Sequence, residues 1–360
     1  MGTKRRSRST TRRRRYSSSE PEITHSRRYS SSSESDSSND VVDEWRAEEA
    51  LARRRYAVFV VLLVPVMAIF FIGLYMMYRS TKNDKSFKKW FNRSVFTRML
   101  SIWMFHQLNF RQDPVGVLMF SNLPGASGIF LGIMSIYLKV ARGISGYKLE
   151  HAVSLGPQGY FLFTMSSLAF FDQAILDSDV TNIVIMGGDM TTYPYQIEHS
   201  RNIYVVNRKE VQYSTKKLLK RAGVSTSKVA FVSVKKPVEQ GSDYLDMLDL
   251  AGCDLSESTL FILDDQLASW KPELVFSLVE DINVLADEAS EYRIAFSYLD
   301  ESKVLGSQSI FSRLLRREKF LFGLPDDEQE EWISGFMEPV VHERIESEQC
   351  GFMLCSSIIT

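Results

Sequence analysis

The sequence predicts an α/β fold: a Rossmann-like, mostly parallel sheet with helices on both faces and an N-terminal helical cap, preceded by a transmembrane helix and a disordered tail. Three observations carry this. Five short apolar runs alternate with helix-period segments from residue 180 onward. A 22-residue stretch, Ala57 to Tyr78, holds no charge. The first 40 residues contain almost nothing that can be buried.

The tail comes first. Arg12 to Arg15, Ser17 to Ser19 and Ser30 to Ser33 are low-complexity runs. Such a chain cannot offset its ordering entropy, so 1–56 is expected to be disordered. The run AVFVVLLVPVMAIFFIGLYMMY (57–78) follows. At about 1.5 Å per residue it reaches across a bilayer core, with Tyr56, Tyr75 and Tyr78 as interfacial anchors. The expectation is a single-pass membrane protein with lipid as partner and the tail in the cytoplasm. Segment 79–114 reads as a basic juxtamembrane stretch. Two more charge-free stretches, Val115 to Leu138 and Ala152 to Phe171, are broken by Gly and Pro and read as buried helices of a cap over 115–180, with re-entry into the membrane as the alternative.

Charge is unevenly spread. The chain carries net -1, but residues 1–56 carry +5, 79–113 carry +6 and 114–360 carry -12. An acidic body does not suit nucleic acid, which demands clustered cations on the folded part. It does suit a membrane-tethered protein. Three cysteines (Cys253, Cys350, Cys355) build no disulfide framework, and five scattered histidines show no metal-ligand spacing, so no metal site is expected.

The alternating region spans 181–346, with 347–360 as a C-terminal tail or plain strand. Strands are expected at Asn182–Met186, Asn202–Val206, Val229–Val234, Thr259–Leu263 and Arg293–Tyr298. Helices are expected at 210–222, 243–250 and 272–289. Leu274, Leu278, Ile282 and Leu285 form a core stripe on the last. Short buried strands joined by helices imply parallel pairing with right-handed crossovers.

Open parallel sheets bind ligands beyond the carboxyl ends of their strands, where strand order reverses. That edge should carry Gly187-Gly188-Asp189 after the first strand, Asn207 after the second, Ser233 and Lys235 around the third, and Asp264-Asp265 after the fourth. Glycines let a ligand approach the backbone. An amide after strand two can hold ribose hydroxyls, and acids after strand four can hold an amine or orient an acceptor. The G-x-G-x-x-G dinucleotide fingerprint is absent, which argues against NAD.

In order and spacing, these residues resemble the leucine carboxyl methyltransferase family over about half the chain. Phe171-Asp172 with Ile175-Leu176 resembles the family's Asp-containing helix before strand one. IVIMGGDMTTYPY (183–195) resembles its glycine-rich LGAGLDTRAYR segment. Val205 to Leu219, with Lys216 or Lys217 near the family lysine, and Leu250 to Trp270 follow in order. Phe322-Gly323-Leu324, with a helix over Glu328 to Phe336, closes the match.

The resemblance implies a Rossmann-like methyltransferase fold and an S-adenosylmethionine-dependent O-methyltransferase acting on a small-molecule or protein carboxylate or hydroxyl. With that chemistry, the strand-end residues Gly187, Gly188, Asp189, Asn207 and Asp264 are the expected cofactor contacts, Tyr193 and Tyr195 are expected to line the pocket, and Asp265 is the candidate catalytic residue on the acceptor side. Departures are specific. Asp189 replaces the third glycine, Thr191 an Asp, Tyr193 an Arg, and Asp265 a Gly. Val205 and Asn207 stand for Glu and Asp, and Asp264 for Glu. No Arg shortly before Asp172 answers to the family's. These losses define the alternative, a catalytically inactive scaffold of the same fold.

Overall fold

The computed structural model describes residues 64–145, 160–187, 190–197, 201–234, 241–264, 270–286, 291–300, 323–324, 337–345 and 350–357. The expected tail (1–56) lies outside them. Five helices come first: α1 (Val64–Asn83), α2 (Arg93–Gln107), α3 (Pro114–Ser121), α4 (Gly128–Ser145) and α5 (Tyr160–Asp177). Then follow β1 (Asn182–Gly187), β2 (Asn202–Arg208), α6 (Lys209–Arg221), β3 (Val229–Val234), α7 (Ser242–Leu250), β4 (Thr259–Asp264), α8 (Pro272–Ala286) and β5 (Tyr292–Leu299). Two further strands, β6 (Met337–Ile345) and β7 (Cys350–Ser357), complete the set.

The sheet has seven strands in the order β3-β2-β1-β4-β5-β7-β6. Strands β1 to β5 run parallel, and β7 runs antiparallel to both of its neighbours. The order reverses between β1 and β4, the place where such sheets leave a crevice. This is the Rossmann-like methyltransferase arrangement. Strand period two divides the core. Ile183, Ile185, Ile203, Val205, Leu260 and Ile262 face the layer of α1 to α6. Val184, Met186, Tyr204, Val206, Phe261 and Leu263 face α7 and α8.

Local chemistry sets the helix starts. The Asn92 side chain accepts from the Val95 N–H to cap α2. Asp113 accepts from the Gly116 N–H to cap α3, with Pro114 in the first turn. The cap is held by aromatic burial: Phe87, Phe91, Trp103, Phe105 and Phe120 are almost wholly inaccessible. Each contributes roughly 1.5–3 kcal/mol by area.

The structure corrects the reading of 57–78 as a free-standing span. Residues 57–63 lie outside the described set. The remainder belongs to α1, which runs five residues further, to Asn83. One face is turned into protein: Phe70, Leu74 and Met77 are buried. Phe70 packs on Phe130 and Tyr137 of α4, with ring centroids 5.9 and 4.8 Å away. Among the described residues no helix is long and apolar enough to cross a membrane. Within the segment expected as a C-terminal tail, residues 350–357 form the strand β7 between β5 and β6, with Cys350 and Cys355 buried in it.

Candidate functional site at the carboxyl edge of the sheet

Three of the expected residues meet in one row. Gly187 closes β1 in register with Asp264, the last residue of β4. On its other side Met186 pairs with Val206, which puts Asn207 beside Gly187. The Asn207 amide donates to the Gly187 carbonyl at 3.1 Å. Gly187 has φ +76°, a turn out of the strand that favours glycine. Gly188, Asp189, Lys235 and Asp265 lie outside the described residues.

Asp264 is wholly buried. Its partners all come from elements above the sheet edge. Arg98 of α2 forms an ion pair with it. The Tyr193 hydroxyl donates to Oδ2 at 2.9 Å, and the Ser167 hydroxyl of α5 lies 3.4 Å from Oδ1. A carboxylate this dry needs such partners, because an isolated buried charge costs several kcal/mol. Tyr193 is 1% exposed, and its hydroxyl is fixed on Asp264. Burial first, then the Asp264 charge, push its pKa well above the usual phenol value. Tyr195 is half-buried in the same short 3-10 turn, and burial raises its pKa too. Asn207 is also turned inward, its side-chain oxygen accepting from the Arg208 N–H at 2.7 Å.

A second polar cluster ties the β1 loop to the cap. Asp113, wholly buried, receives the Thr192 hydroxyl at 2.5 Å and the Gln196 amide at 2.9 Å. Arg111 bridges Asp113 to Asp172 of α5 and grips Asp172 with two hydrogen bonds of 2.8 and 3.0 Å. Burial opposes the Arg111 charge, but the two carboxylates outweigh it and raise its pKa.

Sequence reasoning missed Arg98, Arg111 and Asp113. It sought an arginine close before Asp172, whereas the structure supplies one from 61 residues upstream. A signal was present for Arg98: it is the sole Asp, Glu, Lys or Arg between Arg93 and Arg111. Of the two candidate lysines, Lys217 bonds Ser86 at 2.6 Å and Lys216 lies 4.3 Å from the Phe231 ring centre. Neither meets the row at the sheet edge. Among the described residues no group of three His, Cys, Asp or Glu could hold a metal.

No family model and no curated protein matches the chain. Solved structures do. The apo form of the S-adenosylmethionine-dependent methyltransferase SibL is 14% identical, with TM-score 0.34, covering 82% of this chain and 77% of that one. An O-methyltransferase family 2 protein from Planctomyces limnophilus, in complex with apigenin, is 12% identical, with TM-score 0.34, covering 89% and 96%. A SAM-dependent methyltransferase from Anabaena variabilis is 9% identical, with TM-score 0.37, covering 54% and 84%. The fold is methyltransferase-like. That statement rests on the strand order and the position of β7, not on the size of these likenesses.

Proposed function

We propose that the chain is an S-adenosylmethionine-dependent methyltransferase of the leucine carboxyl methyltransferase type, associated with a membrane, that methylates a carboxylate or hydroxyl oxygen. The observation that carries this is the row of Gly187, Asn207 and Asp264 at the reversal of strand order. The residues present fit an adenosine-bearing ligand. The positive φ of Gly187 opens the backbone to close approach, and the Asn207 amide can exchange the Gly187 carbonyl for a ribose hydroxyl. Bound there, the cofactor would supply an electrophilic methyl group on sulfonium.

The protein's part is positional. Gly187 and Asn207 orient the donor. Arg98, Tyr193 and Ser167 hold the Asp264 charge in a fixed place. The cap above excludes water. A carboxylate acceptor needs no base, whereas a hydroxyl acceptor must lose a proton, the role that falls to Asp265.

One observation favours a second reading, a scaffold without turnover. Asp264 is fully engaged by protein groups, so a ligand amine must compete for it. Calorimetric titration of S-adenosylmethionine into the full chain decides between the two. The proposal predicts saturable heat with Kd below about 1 mM, an affinity of at least roughly 4 kcal/mol. Absence of heat at millimolar ligand contradicts it and leaves the scaffold.

A further inference from the structure

Two helices of the cap leave apolar stripes uncovered by any described residue. On α1, Ile69 (67%), Ile72 and Met76 (65%) are exposed, at helical spacing on the side away from buried Phe70, Leu74 and Met77. On α4, Ile129 (79%), Ile133, Ile136 (66%) and Val140 repeat at i, i+4, i+7 and i+11, opposite buried Leu131, Met134 and Leu138. The helices run antiparallel: Thr81 bonds the Pro124 carbonyl at 2.8 Å, while Phe70 meets Tyr137 further along α4. The half-buried Phe130 and Tyr137 pack on Phe70 between the two stripes. The stripes therefore flank one seam and make a single apolar plate. Val66 to Met76 covers about 15 Å of it, by the helical rise.

Among the described residues, the exposed charges beside the plate are basic. Exposed Arg79, Lys85, Lys88, Lys89 and Arg93 follow α1 directly, and exposed Lys139 stands near the far end of α4. Asp84 is the sole acid between Arg79 and Arg93; burial opposes its charge, but hydrogen bonds from Ser86 together with Lys217 and Arg221 outweigh it and lower its pKa. In sequence, seven apolar residues, 57–63, lead straight into α1, with Arg53 to Arg55 before them. Apolar area bounded by cations is the chemistry of a helix face lying in the plane of an anionic bilayer.

We propose that the α1–α4 plate is a monotopic membrane-binding surface, seated in one leaflet of an anionic bilayer with the basic residues among the headgroups. It rests on the membrane association proposed above and assigns it to a surface instead of a crossing. An isolated exposed isoleucine is ordinary, but seven large apolar side chains on one plate are not. A charged cap edge beside them would repel a second copy and attract acidic lipid.

The test uses the full chain, purified in detergent and mixed with vesicles of phosphatidylcholine alone or with phosphatidylserine, followed by flotation. The wild type should float with the acidic vesicles. The variant Ile129→Ser/Ile133→Ser/Ile136→Ser should float at least tenfold less. Lys85→Glu/Lys88→Glu/Lys89→Glu should lose the preference for phosphatidylserine.

If the wild type floats with neither vesicle, membrane association itself fails. If wild type and serine variant float alike, membrane association stands and the plate is not its surface. A wild type that stays off the vesicles as a dimer, and becomes monomeric in the serine variant, makes the plate a contact between copies and overturns the proposal. Should the serine variant not fold, Ile136→Cys labelled with an environment-sensitive dye gives a second readout. A blue shift on acidic vesicles supports the proposal, and an unshifted spectrum with vesicle-bound protein overturns it.

Discussion

Removing Arg98 should be among the most costly single changes in the chain. The Arg98 side chain is 5% exposed and its partner Asp264 is 0% exposed, so solvent screens neither. Arg98→Met keeps the apolar stem and deletes the charge. It leaves a buried carboxylate with the Tyr193 hydroxyl at 2.9 Å and the longer Ser167 contact. Breaking such a pair from one side costs about 3–5 kcal/mol. That corresponds to a fall of roughly 10 °C in Tm.

The companion variant is Arg98→Met/Asp264→Leu/Tyr193→Phe, which replaces the ion pair and the Tyr193 hydroxyl by apolar groups and leaves only Ser167, the weak 3.4 Å donor, without its acceptor. Such replacements are often close to neutral, so most of the loss should return. Urea unfolding of the full chain, followed by tryptophan fluorescence, measures both. A single variant within about 1 kcal/mol of wild type would refute the reasoning, on the scale expected for exposed pairs. So would a triple variant no more stable than Arg98→Met.

Other outcomes follow from the same contacts. Asp113→Ala removes the α3 cap and the anchor of Thr192, Gln196 and Arg111; a loss of at least about 2 kcal/mol is expected, with faster amide exchange over 190–197 as the check. Gly351→Ala places a Cβ against the Tyr298 hydroxyl, which is itself held by His342 at 2.5 Å; overpacking of about 1–3 kcal/mol should lower Tm. Alkali should destabilise the fold. Tyr193 and Tyr195 are raised by burial, and Tyr244 is pushed up to about 12. The folded chain thus keeps phenol protons that the unfolded chain releases near about pH 10. Their contribution is whole below that pH and is lost as pH rises through the folded values. Urea midpoints that stay level from about pH 9 to 11 would contradict this.

Much of the sheet was legible because its strands are buried on both faces. β1 and β4 read as unbroken apolar runs, and each begins within a residue of expectation. β6 was not legible, and β7 was read only as one of two possibilities, a tail or a plain strand. β6, MEPVVHERI, carries Pro339 and charges, and its register shifts between Pro339 and Val341, as an edge strand allows. β7, CGFMLCSS, has no β-branched residue and gains its place by pairing on both sides. The row of Gly187, Asn207 and Asp264 followed from strand ends alone. The groups that hold Asp264 did not, because Arg98 lies 166 residues away in sequence and only packing of the cap brings it over the sheet. The partner of Tyr193 was not legible either, since nothing in a sequence says which acceptor a buried hydroxyl will find. On α1, apolar content alone suggested a span, but the stripe of Phe70, Leu74 and Met77 at helical spacing is the signature of a docked face.

The account's core is that the turn out of β1, beside Asn207, accepts an adenosine-bearing sulfonium. The most direct check is equilibrium binding of methyl-labelled S-adenosylmethionine to the full chain, with S-adenosylhomocysteine as competitor, in wild type and in Asn207→Ala. Saturable, displaceable binding is predicted, weakened roughly two- to tenfold by losing one hydrogen bond. Label that never saturates, or an affinity indifferent to Asn207, would contradict it.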